Sequence, residues 1–225
     1  MAKGATRSVY ERRLVLASAS PRRHELLGWL DCSFDVVVSG VDESMVTGPA
    51  PELVAELAFR KAQAVSAQES DAACVLGADT VVALSPDDAD AILGKPRDNE
   101  EAHTMLARLS GSTHWVYTGV AVCRHDVPPN RAVSATEVTF RSLNDSEVAR
   151  YVATGEPLGK AGAYAIQGAG RELIESIHGC FYNVIGLPLS LTARLLGDEW
   201  IGPAARLCDC VTLDLQRGDP RCTER

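Results

Sequence analysis

Asp79 lies inside an apolar strand-like run, Leu76-Gly77-Ala78-Asp79-Thr80-Val81-Val82. An unpartnered buried carboxylate costs several kcal/mol at least (~3 or more), so Asp79 must meet a cation, a metal ion or open solvent. Lys61 poses the same question with the opposite sign. At about 100° per residue, the helix expected over Pro51–Gln68 puts Leu53, Val54, Leu57, Ala58 and Val65 on one apolar stripe with Lys61 in its middle. Two readings are open: the ammonium snorkels to water along a buried stem, or it reaches a polar cleft that receives an anion. A third unusual site is Ser18-Ala19-Ser20-Pro21-Arg22-Arg23, in which Ser20 suits an N-cap and Pro21 the first helical position. Arg22 and Arg23 then oppose a helix terminus that already carries about half a positive charge, at up to ~1 kcal/mol each unless an anion uses them. They are either solvated surface charges or one wall of an anion site. Lys95, held between Gly94 and Pro96, and Gln167, entering a Gly-rich loop, add weaker polar candidates. Glu43 follows a strand-like run and would share a crevice with Asp79. Two carboxylates from different strands suit a hard cation such as Mg²⁺, with Mn²⁺ as the substitute, completed by water and phosphate oxygens.

The elements that must place these residues alternate at first. Strand-like runs at Arg13–Ser18, Phe34–Ser39 and Cys74–Ala83 are separated by helical segments at Pro21–Leu30 and Pro51–Gln68, which predicts α/β layering over a largely parallel sheet. In such sheets the ligand crevice lies outside the carboxyl ends of the strands, and Ser18 and Asp79 both fall late in theirs. Beyond Asp98 the pattern changes. Asp98 with Glu101 reads as a capping box for a helix that closes at Gly111. Two β-rich runs, His114–His125 and Arg131–Arg141, flank Asp126-Val127-Pro128-Pro129-Asn130 and predict an antiparallel hairpin. A helix over Asn144–Thr154, a Gly-rich loop over Gly155–Gly170, a strand near Leu173–Ile177 and a helix over Leu189–Leu196 complete the pattern. The acidic stretch Ser85–Asp90 reads as a solvated turn, and the last two dozen residues as a loosely ordered extension.

Composition excludes several classes. The chain has 225 residues, 46% of them hydrophobic, enough for one substantial α/β domain or two small ones. Its net charge of −8 argues against a general nucleic-acid or membrane-surface binder, so phosphate chemistry needs a local basic pocket. Met1–Arg13 lacks a signal-peptide core and no run reaches bilayer length, which makes the cytoplasm the expected address. The seven cysteines fit reduced thiols, with Cys74 and Cys123 as small core residues and Cys208-Asp-Cys210 short of a zinc site. Gly155–Ala161 is one residue short of a P-loop and lacks the Ser or Thr after Lys160. There is no G-x-S-x-G elbow and no HExxH pair, and His178 shows no partner that would make it a base.

Taken together, Ala17-Ser18-Ala19-Ser20-Pro21-Arg22-Arg23, Lys61, Gly77-Ala78-Asp79-Thr80, Lys95-Pro96-Arg97-Asp98, Leu109-Ser110-Gly111, Lys160–Gly168 and Val184-Ile185-Gly186-Leu187-Pro188 resemble, in order, the motifs of the Maf family of nucleoside triphosphate pyrophosphatases. The resemblance covers roughly Leu14 to Leu196. It implies the Maf-like relative of the inosine triphosphatase fold, an elongated mixed β-sheet flanked by helices with a central cleft. It also implies residues 13–197 as a single catalytic domain between extensions at 1–12 and 198–225. Asp79 corresponds to the family's catalytic acid-base, which activates water. Ser18, Arg22, Lys61 and Lys95 correspond to groups that hold the triphosphate, and Glu43 to an acidic residue associated with metal binding. Arg23, Thr80 and Gln167 correspond to positions that separate a branch acting on dTTP and UTP from one acting on 7-methyl-GTP. The second branch shows Trp where Arg22 stands, Gln where Thr80 stands and Glu where Gln167 stands, so this chain resembles the dTTP/UTP branch, with CTP and modified pyrimidine nucleotides as further substrates. Homodimers and a divalent cation are expectations of the same resemblance. The acidic insertion at Asp87–Asp90 and the tail after Gly197 depart from it. The alternatives are a nucleotide-binding regulator of cell division and septum formation, and a 7-methyl-GTP pyrophosphatase.

Overall fold

A computed structural model describes residues 13–69, 73–85, 88–125, 127–207 and 213–214. Strand β1 (Arg13–Leu16) lies between β2 (Phe34–Val36) and β3 (Ala73–Ala83) and runs parallel to both. From β3 outward every pairing is antiparallel, through β5 (Thr113–Arg124), β6 (Val127–Phe140), β7 (Ile174–His178) and β8 (Leu213–Asp214). The two-residue β4 (Ile92–Leu93) adds to the far end of β3. The sheet is therefore mixed, as the resemblance implied, and not largely parallel as the early alternation suggested. Helical crossovers stop at β3, and the long β5–β6 hairpin reverses everything after it. That hairpin is tighter than expected, with Val127, Pro128, Pro129 and Asn130 already inside β6.

Side-chain alternation along the strands divides the interior into two layers. On one face α2 (Ala50–Ser66) packs Ala58, Ala62 and Val65 against Val15, Val75 and Ala121. The approach is close because Gly77 and Gly119 lie beneath it. A Cβ on Gly77 would overlap the Ala58 carbonyl oxygen, and one on Gly119 the Val54 carbonyl. On the opposite face α1 (Pro21–Gly28), α3 (Asn99–Leu109), α4 (Asp145–Val152), α5 (Phe181–Ile185) and α6 (Leu189–Leu196) share the larger core with Leu14, Leu16, Leu76, Val116 and Val138.

Side-chain caps begin three of the six α-helices described, α1, α3 and α4, while α2, α5 and α6 start without one. Ser20 accepts from the Arg23 N–H at α1, and Asn144 with Glu147 completes a reciprocal capping box at α4. Asp98 accepts from the Glu101 N–H as expected, but the Glu101 carboxylate turns to Arg97, so the box at α3 is only half made. Gly111 follows α3 with φ 65°, the left-handed position a glycine tolerates. Asp88 caps the short turn Ala89–Ala91, while residues 86 and 87 of the acidic insertion lie outside the described residues. Of the tail read as loosely ordered, the part up to residue 207 is described and lies against the domain, and the rest apart from 213–214 lies outside the described residues. The Gly202 N–H bonds the Leu30 carbonyl, the Arg206 N–H bonds the Trp29 carbonyl, and the Arg206 guanidinium lies 5.3 Å from the Trp29 ring centroid. Cys208, Cys210 and Cys222 lie outside the described residues, and Cys74 and Cys123 are buried as expected. Among the described residues no helix is long and apolar enough to cross a membrane.

Candidate active site

The site exists because β1 is short. Its last tie to β3 is the bond from the Ala17 N–H to the Leu76 carbonyl, 2.8 Å, whereas β3 continues to Ala83 and is joined again only where β4 pairs with Val82 and Ala83. Between those points one edge of β3 opens onto a cleft of about 810 Å³. Ser18, Ser20, Arg22, Arg23, Glu43, Lys61, Asp79, Thr80, Lys95 and Gln167 all line it. One expectation is corrected here. Asp79 lies in mid-strand, not at a carboxyl end, and it is reachable because its neighbour β1 has already left the sheet.

Asp79 and Thr80 are consecutive, so their side chains leave the strand on opposite faces. On the α2 face the Lys61 ammonium lies 2.6 Å from Asp79 Oδ1 and 2.6 Å from Glu43 Oε1. The Lys61 side chain is only 8% exposed, so it does not snorkel to water; it is the cation that the buried carboxylate required. Glu43 sits on a short helical turn capped by Asp42, whose Oδ1 accepts from the Ser44 N–H at 3.0 Å. Burial alone would push its carboxyl up, but the Lys61 hydrogen bond and charge, with Lys95 and Arg23, hold it below the usual carboxylate range.

On the other face Arg23 is a strut. Its Nε donates to the Gly186 carbonyl at 2.9 Å, Nη1 to Ser18 Oγ at 3.2 Å and Nη2 to Thr80 Oγ1 at 3.0 Å. Arg22 differs from it: its Nε is buried with no hydrogen-bond partner among the described residues. Burial makes both guanidinium groups easier to deprotonate than an exposed arginine. A buried, unanswered donor at a helix N-terminus is the signature of a site waiting for an anion. Lys95 and Gln167 are exposed at the rim, and the Lys95 loop is tied down where the Gly162 N–H meets the Gly94 carbonyl at 3.0 Å.

Lys160, set aside above as a failed P-loop lysine, also lines this cleft. Burial first, and then the Arg22 charge, lower its pKa, and its ammonium donates to the Glu156 carbonyl. Glu156 anchors the surrounding loop by accepting from Tyr151 Oη and from the N–H groups of Ala169 and Gly170. Gly159 and Gly162, with φ of 75° and 68°, bracket Lys160 and turn it inward. Those flanking glycines are the sequence signal for a constrained lysine.

A mixed α/β sheet opened at one strand edge, with carboxylates and a shared lysine on one side and a basic helix start on the other, has the charge pattern of a hydrolase cleft for an anionic substrate. The comparisons make this more specific. The family model described as Maf-like protein matches residues 13–199, and the chain belongs to the Maf family. It is 49% identical over 189 residues to the dTTP/UTP pyrophosphatase of Pelotomaculum thermopropionicum, covering 82% of this chain and 95% of that one. It is 52% identical over 185 residues to the dTTP/UTP pyrophosphatase of Myxococcus xanthus, covering 81% and 90%. Among solved structures, the Staphylococcus aureus Ham1 protein aligns with a TM-score of 0.44 at 13% identity over 72% of this chain and 79% of that one. A nucleoside-triphosphatase / dITP/XTP pyrophosphatase from Mycobacterium abscessus aligns with 0.40 at 14% identity over 72% and 82%.

Proposed function

We propose that this chain hydrolyses dTTP and UTP between the α and β phosphates, giving the nucleoside monophosphate and pyrophosphate. The observation that carries the reading is the Lys61 ammonium shared by Asp79 and Glu43 in the same cleft as Arg22, whose buried Nε has no hydrogen-bond partner among the described residues. The names of the relatives at about half identity support it, and residues 13–197 form the unit that performs the reaction.

A triphosphate brings about four negative charges, and charge moves onto the leaving pyrophosphate as the bond breaks. Ser18, Ser20 at the start of α1, Arg22, Lys61, Lys95 and Lys160 hold those oxygens. Asp79 orients the attacking water and takes its proton as water bonds the α-phosphorus and the bridging oxygen departs. Arg23, Thr80 and Gln167 face the nucleoside. Glu43 and Asp79, whose carboxylates come together on the Lys61 ammonium, are the residues that would hold a divalent cation. Among the described residues no cluster of three or more His, Cys, Asp or Glu forms a metal cage, so a cation held by these two carboxylates would draw its other ligands from phosphate and water, the kind of site that Mg²⁺ prefers. When bound, the cation supplies neutralisation of phosphate charge.

The test is pyrophosphate release from dTTP, UTP, CTP, GTP and 7-methyl-GTP with Mg²⁺, comparing the parent with Asp79→Asn. The parent turns over dTTP and UTP, and the variant loses about 10²- to 10⁴-fold with its fold retained. An Asp79→Asn protein as active as the parent overturns the assignment. Nucleotide binding without turnover by the parent points to the regulator instead.

A further inference from the structure

Thr80 and Thr118 face each other in register across β3 and β5, with their hydroxyl oxygens 2.9 Å apart. Either could donate to the other, and the surroundings decide which does. Thr118 is fully buried, and its Oγ1 lies 3.1 Å from the main-chain carbonyl oxygen of Asn183, which has no proton to give. Asn183 is fully buried too, and the N–H groups of Gly186 and Leu187 both go to the Tyr182 carbonyl. The single hydroxyl proton of Thr118 therefore belongs to the Asn183 oxygen, since an unmet buried carbonyl is costly. Thr80 must then donate to Thr118. From the cleft side Arg23 Nη2 donates to Thr80 at 3.0 Å, and a guanidinium only donates. Every proton in the series Arg23, Thr80, Thr118, Asn183 points inward, which strengthens each bond in turn. Thr80 lines the cleft, and all its oxygen has left to offer there is a lone pair.

We propose that Thr118 is a positioning residue that holds Thr80 as an acceptor-only group, and that this lone pair takes the N3–H of a uracil or thymine ring. An acceptor repels phosphate oxygens, so Thr80 is no phosphate ligand. Uracil and thymine present a donor at N3, whereas cytosine presents a second lone pair there. The proposal rests on the pyrimidine-nucleotide reading above and deepens it, because the Thr118 relay then selects uracil and thymine over cytosine.

The experiment compares kcat/KM for UTP, CTP and 4-thio-UTP, which keeps N3–H while altering position 4, in the parent, Thr118→Val and Thr118→Ser. The parent should favour UTP over CTP by about tenfold or more and treat 4-thio-UTP within a few-fold (~3) of UTP. In Thr118→Val the Thr80 proton is released to the cleft and the UTP/CTP ratio collapses, while Thr118→Ser retains it. A purely structural defect lowers turnover of both nucleotides alike and leaves the ratio unmoved. A parent indifferent between UTP and CTP, or a folded Thr118→Val with the parental ratio, overturns the proposal and leaves the pyrophosphatase reading standing. Silence on all three nucleotides overturns that reading and this proposal with it. If Thr118→Val does not fold, Thr80→Val removes the lone pair and must lose the ratio in its place; a retained ratio there overturns the proposal.

Discussion

Two adjacent residues of β3 open onto opposite chemistries. On the α2 face Asp79 belongs to a cluster of ionised groups, two carboxylates on one ammonium. On the other face Thr80 belongs to a line of neutral hydroxyls that runs from Arg23 to a main-chain carbonyl. Strand alternation makes the division possible, since neighbouring side chains cannot share a face. Early departure of β1 makes it useful, because both faces become accessible from one open strand edge. The ionised cluster makes the α2 face the charged side and suits bond breaking, while the hydroxyl line on the other face, anchored by the Arg23 guanidinium, suits reading a base. The contrast can be attacked from either side.

The charged side should be the more fragile. Lys61→Met leaves Asp79, only 6% exposed, without its cation. Stranding one partner of a buried pair typically costs about 3 to 5 kcal/mol. Denaturant unfolding should show a loss of that size, and Lys61→Met with Asp79→Asn should recover part of it, because the second change removes the stranded charge. A Lys61→Met protein as stable as the parent would show that the three groups do not depend on one another.

Much of this site is legible in the amino-acid sequence, for a physical reason. Asp79, Lys61 and the Arg22-Arg23 pair each break a local rule, and a charge in an apolar stripe or a cation at a helix start needs compensation from somewhere else. The fold supplies it to Asp79 through Lys61 and withholds it from Arg22, whose buried Nε has no hydrogen-bond partner among the described residues. What the sequence hides is partnership across the chain. Thr118 and Asn183 look like ordinary strand and helix residues, and nothing local places a hydroxyl against a carbonyl 65 residues away. The mixed sheet is hidden similarly: parallel and antiparallel pairing depend on crossovers, and the alternation leading to β3 does not announce the hairpin's effect. Lys160 escapes a phosphate-loop pattern because its constraint comes from the positive-φ glycines beside it, which follow no such spacing.

A smaller effect concerns how Lys61 is held at the charged side at all. Gly77 lets α2 lie directly on β3, and a Cβ there would meet the Ala58 carbonyl and the backbone of Ala62, the residue next to Lys61. Gly77→Ala should cost about 1 to 3 kcal/mol from overpacking and lower turnover by displacing the lysine. Gly94→Ala is the control, because nothing lies within 4 Å of its Cβ position. Its unfolding midpoint should stay near that of the parent. Equal stabilities for the two variants would mean that α2 can lift away from the sheet without penalty.

The smallest effect is the pH dependence of the outer carboxylate. Glu43 is held below the usual carboxylate range: burial opposes this, and the Lys61 hydrogen bond with the Lys61, Lys95 and Arg23 charges overcomes it. A carboxyl depressed in the folded state contributes stability that is complete above its unfolded pKa and disappears as pH falls through its folded pKa. The Glu43 side chain is 48% exposed, so solvent screening limits the contribution to under about 1 kcal/mol. Glu43→Gln should therefore be slightly less stable than the parent near neutral pH and should converge with it as the solution is acidified below the ordinary carboxylate range. Added salt should narrow the neutral-pH gap, as expected for a half-exposed pair and unlike the buried link to Asp79. Parallel pH curves for the two proteins would mean that Glu43 gains nothing from Lys61 in solution, and the charged face would reduce to the single pair of Lys61 with Asp79.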